Sequence, residues 1–88
     1  MSTRKVYQEF TDMNVLGVTV EHNGFRGGDA GHGGFVAIKF KNLGSTAMYI
    51  NDSECEVVEI VFKGDSERRT LVKALEMALE ELKEHERV

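Results

Sequence analysis

The chain contains no proline, a single cysteine and no apolar run of membrane length, and each lack removes a class of protein. With no proline, no low-complexity tail and no internal repeat, nothing marks a linker, and residues 1–88 are expected to form one domain. Cys55 has no partner in the chain, which excludes an internal disulfide and agrees with a reducing, cytoplasmic compartment. No histidine accompanies it in sequence, so it reads as a half-buried strand residue and not as a nucleophile. The longest apolar stretch, Val15 to Val20, is broken by Gly17 and Thr19 and falls far short of the roughly 20 residues of a bilayer-spanning helix. Met1 to Lys5 carry charge, but no apolar segment of signal-peptide length follows, so export is not expected.

What is present suits a small folded domain. Apolar residues make up 41% of the 88 and charged residues 30%, too much hydrophobic material for a disordered tail. A chain this short buries a smaller share of its surface than a longer one, so self-association helps it. The net charge of −4 is uneven, because residues 1–50 hold five Lys/Arg against four Asp/Glu and residues 51–88 hold six against eleven. The acidic half disfavours a nucleic-acid polymer, which needs a continuous basic face. Basic residues interleaved with those acids argue against a nucleic-acid mimic.

The hydrophobic pattern predicts an α+β domain, an antiparallel sheet of four to five strands with one C-terminal amphipathic helix on one face. Residues 4–10 mix β-formers with polar groups and read as a first or edge strand. In residues 14–22, Leu16, Val18 and Val20 alternate with Gly17, Thr19 and Glu21, the two-residue period of a half-buried strand. Residues 35–41 repeat the pattern with Val36, Ile38 and Phe40, and the two strands are expected to pair. A turn over Asn42–Thr46 leads to a short strand at 47–50, and Asn51–Ser53 forms a second turn. Residues 55–62 are apolar on both faces, which predicts a central strand. Asp65 or Ser66 is expected to cap a helix over 66–86, whose Leu71, Val72, Leu75, Ala78, Leu79 and Leu82 form one stripe. Phe35, Ala37, Tyr49, Val57 and Val61 are then expected to line the other face, a surface apolar enough to favour pairing with a second copy or a partner, unless the N-terminal segment folds across it.

The densest signal is Gly24-Phe-Arg-Gly-Gly-Asp-Ala-Gly-His-Gly-Gly34, which holds six of the nine glycines. Glycine is useful where the backbone takes positive φ or must approach another group with no Cβ in the way, and a tight hairpin needs only one or two. Two readings stand level. In one, amides around Arg26, Gly27, Gly28, Asp29, Gly31, His32, Gly33 and Gly34 form a concave nest for an anion, Arg26 adding charge and His32 a switchable donor. In the other the glycines serve turn geometry alone. A metal held by Asp29, His32 and His22 is disfavoured by the small ligand set, and no cofactor is expected. The lysine and following helix of a phosphate-binding loop are missing, as is the βαβ unit of a dinucleotide fold.

The segment Gly27-Gly28-Asp29-Ala30-Gly31-His32-Gly33-Gly34, with a strand after it and an acidic amphipathic helix at the end, resembles small bacterial and phage proteins of unassigned function. That resemblance covers the loop and the general layout and carries over no site. From the residues, the expectation is a non-enzymatic protein that holds a small anionic, nucleotide-type ligand in the loop, in a phage a sponge for a host defence signal. The alternative is a protein-interaction module or inhibitor working through the acidic helix and an exposed sheet face.

Overall fold

The structure, a computed structural model, describes residues 3–28 and 31–86. In chain order the elements are β1 (Arg4–Thr11), β2 (Val15–His22), β3 (Phe35–Gly44), β4 (Tyr49–Ile50), β5 (Ser53–Glu54), β6 (Val57–Lys63) and α1 (Asp65–Glu86). Strands β1, β2, β3 and β6 form one antiparallel sheet in that spatial order, and β4 and β5 form a separate small ribbon. This is the expected α+β layout, with β2 and β3 paired across the glycine-rich connection.

Residues opposite one another in an antiparallel sheet share a face, so the register sorts the side chains. On the inner face, toward the helix, Val6, Val20, Ile38 and Ile60 stand abreast, with Val18, Phe40 and Val58 beside them and His22, Val36 and Phe62 at the loop end. On the outer face the corresponding rows are Lys5, Glu21, Ala37 and Val61, then Tyr7, Thr19, Lys39 and Glu59. Lys5 opposite Glu21 and Lys39 opposite Glu59 are favourable cross-strand charge pairs. The outer face is therefore mixed and charged, and the expectation of a mainly apolar surface there is corrected. Ala37 is buried and Tyr49 belongs to the separate ribbon.

Strand β6 lies at the sheet edge and not at its centre. Its two apolar faces suggested burial on both sides, but the outer-facing Val57 and Val61 remain exposed. Charged Glu59 and Lys63 mark the open edge and discourage strand addition. Strand β3 runs three residues further than expected because it stays paired with β2 through Leu16–Asn42 and, past a register shift, Val15–Gly44. The Asn42 side-chain carbonyl accepts from the amides of Gly44 (3.0 Å) and Thr46 (3.0 Å) and shapes the turn that follows. The β4–β5 ribbon turns at Asn51 and Asp52, both at positive φ (48° and 69°), as a two-residue hairpin requires.

Helix α1 meets the inner face only near its start. A groove of about 200 Å³ between them is lined by Val20, His22, Val36, Ile38, Leu71 and Leu75 among others. From Val72 to Lys83 every helical residue is exposed, so the apolar stripe leaves the sheet after the first two turns. Among the described residues no helix is long and apolar enough to cross a membrane. Among the described residues the buried apolar ones are Val36 and Ala37. Val36→Ala is expected to cost about 1–3 kcal/mol in urea denaturation, whereas Val61→Ala on the outer face should cost less than about 0.5 kcal/mol.

Candidate functional site at the loop and helix junction

His22 ends β2 and Phe35 begins β3, so residues 23–34 cross one end of the two central strands. Phe35 lies opposite Lys63, the last residue of β6, and this brings the start of α1 beside the same loop. Backbone bonds then join the segments. The Asp65 amide donates to the Gly28 carbonyl (2.6 Å), the Gly64 amide to that of Gly34 (2.7 Å), and the Gly31 amide to that of Lys63 (3.0 Å).

The two oxygens of the Asp65 carboxylate complete the junction. Arg26 N–H donates to one at 2.9 Å and Gly27 N–H to the other at 2.6 Å. Successive amides do gather around negative charge, as the loop's composition suggested, but the charge belongs to the chain itself. Gly27 has φ of 80°, a left-handed conformation that suits glycine and turns the chain immediately after the two bonded amides. The expected nest at Arg26 and Gly27 is thus occupied by Asp65.

Asp65 also departs from its expected capping role. The Gly64 carbonyl accepts from Arg68 N–H at 3.0 Å, so Gly64 holds the cap position and Asp65 is the first helical residue, its side chain turned to the loop. Two loop amides offer the carboxylate a partner for each oxygen. Asp65 is only 9% exposed. The Arg26 amide is the main influence holding its carboxyl below the ordinary aspartate range; desolvation pushes it back, and the Gly27 amide and the guanidinium groups of Arg69 and Arg68 reinforce the lowering.

Of the expected site residues, Gly28, Gly31 and Gly34 serve the backbone junction, and Asp29 lies outside the described residues. Gly33 packs on the Gly28 backbone, and His32 is exposed. A Cβ on Gly34 would overlap the Gly24 carbonyl oxygen, which accounts for one glycine by close approach alone. Asn23 braces the loop ends, its side-chain carbonyl accepting from Phe35 N–H (2.8 Å) and its backbone carbonyl from Arg26 Nε (2.8 Å). Among the described residues no three His, Cys, Asp or Glu side chains converge.

The junction also assembles side chains that sequence reasoning passed over. The Arg68 guanidinium sits 4.3 Å from the centroid of the Phe25 ring and that of Arg69 5.8 Å from it. Phe25 is 55% exposed, and Arg68 Nη1 lies 3.5 Å from His22 Nδ1, which also accepts from Gly24 N–H (3.2 Å). One sequence signal pointed here. Arg68 and Arg69 are the fourth and fifth residues of α1, near the end where the helix dipole disfavours cations, and such a placement invites a search for a compensating partner.

No protein-family model, curated protein or solved structure matches the chain.

Two outcomes test the junction. Because the folded Asp65 carboxyl titrates below its unfolded value of about 4, the contact stabilises the fold above that pH and is lost as pH falls through the lower folded value. Urea stability should therefore decline on acidification from about pH 5 to pH 2, and Asp65→Asn should flatten that dependence; an unchanged slope in the variant excludes the carboxylate as its source. Gly34→Ala should destabilise by about 1–3 kcal/mol in the same assay.

Proposed function

We propose that this chain is a non-enzymatic binding protein for a small anionic ligand of nucleotide type, held at the outer surface of the loop and helix junction. The observation that carries the reading is the convergence of Arg68 and Arg69 on the exposed ring of Phe25, next to Arg26, in a chain of net charge −4. Guanidinium groups pair with phosphate oxygens in a planar, two-point fashion, and an aromatic ring offers a stacking surface to a base. The ligand thus meets side chains, while the amides beneath are committed to Asp65.

Cations and an aromatic ring hold a ligand; they do not break bonds within it. A protein with this equipment acts by sequestration, and in the setting of the phage proteins its loop resembles, that means withholding a host defence signal. The Asp65 clamp supports this role by fixing Arg68 and Arg69 relative to Phe25 before any ligand arrives, so less ordering is required on binding.

Isothermal titration with a panel of mononucleotides and cyclic dinucleotides tests the proposal. Wild type should bind at least one of them. Phe25→Ala and Arg69→Glu should each weaken that affinity by about 10-fold or more, with the circular dichroism spectrum unchanged. Absence of heat with every nucleotide, or binding unaffected by both substitutions, would sink the reading.

A further inference from the structure

The inner sheet face and the helix stripe are apolar, adjacent and uncovered. Val6 (43%), Phe10 (50%) and Ile60 (50%) are exposed on the sheet, and Leu75 (46%), Leu79 (51%) and Leu82 (71%) on the helix. We propose that these surfaces form a two-fold interface between copies of this chain, the stripe of each α1 lying against the inner sheet face of the other.

Four observations select a second copy as the occupant. First, these exposed apolar residues are divided evenly between the sheet and the helix, so two copies related by a two-fold cover both sets at once, and only a rim is left to polar groups. Second, an isologous contact needs a surface and its complement on one chain, and here a projecting helix and an open groove lie side by side. Third, the Cα radius of gyration is 14.8 Å, against about 12 Å for a compact domain of this length, and Val36 and Ala37 alone form the buried apolar set among the described residues. The core is incomplete until a second helix supplies its other half. Fourth, the bonds from Arg26 and Gly27 to Asp65 fix the first turn of α1, while the helix from Val72 to Lys83 is exposed and open to a second copy.

A lipid surface fits less well. Amphipathic helices that bind anionic bilayers carry a Lys/Arg-rich polar face, whereas Glu76, Glu80 and Glu81 are interleaved with Lys73 and Lys83 here.

Sedimentation equilibrium of the whole chain at micromolar concentration is expected to give twice the mass of one chain. Leu79→Lys and Ile60→Lys should each raise the dimer dissociation constant by about 30-fold or more, the loss of one interface hot spot. Val61→Lys, on the outer face, should leave the dimer intact. Since a lysine in the patch can also unfold the chain, wild type is examined directly by isotope-filtered NMR on an equal mixture of labelled and unlabelled protein. Contacts between copies should join Leu79 methyls to those of Val6 and Ile60. A single-chain mass for wild type, a dimer broken by Val61→Lys and spared by Leu79→Lys, or intermolecular contacts confined to the outer face would each overturn the proposal. The interface does not rest on the ligand reading, and Phe25→Ala should leave it unchanged.

Discussion

A carboxylate that is nearly withdrawn from water needs donors for both oxygens, and the Asp65 side chain finds them in two successive amides from the far side of the sequence. Around that contact the loop and the strand-to-helix junction exchange backbone bonds in both directions, Gly28 and Gly34 accepting and Gly31 donating. Part of the glycine-rich composition follows from the loop's close folding on itself, since a side chain at Gly28 would overlap the His32 backbone and one at Gly34 the Gly24 carbonyl.

The same contact organises the rest of the molecule. It holds the first turn of α1 over the loop end of the sheet, where Val36 is buried, and thereby presents Arg68 and Arg69 to Phe25. Cations near the start of a helix oppose its dipole, and the neighbouring Asp65 charge and the aromatic ring offset that cost. A helix held at one end by hydrogen bonds is free of the sheet at the other. Its leucine stripe and the apolar side chains Val6, Phe10 and Ile60 of β1 and β6 are left exposed.

Most of the architecture was legible in the residues. Two-residue alternation located β2 and β3, three- and four-residue spacing located α1, and the glycine cluster marked the segment that does something other than turn. The misreadings share one origin. Val57 and Val61 made β6 look central because apolarity on two faces was equated with burial on two faces, yet an edge strand in a small sheet leaves such side chains exposed. Asp65 looked like a helix cap because capping is the local use of an aspartate at that position, and the loop amides that claim it are 38 and 39 residues away. Phe25, Arg68 and Arg69 went unnoticed as a group for the same reason.

Local periodicity and turn chemistry, which depend on near neighbours in the chain, determined the number of principal strands, the helix, its polar and apolar sides and the place of the unusual loop. Tertiary structure alone decided which strand lies at the edge, which sheet face meets the helix, which acid fills the amide nest and which cations meet the aromatic ring. Those choices arise from contacts between segments distant in sequence. Residue spacing carries no record of such contacts, because the strand register and the direction of the helix are set only when the segments meet.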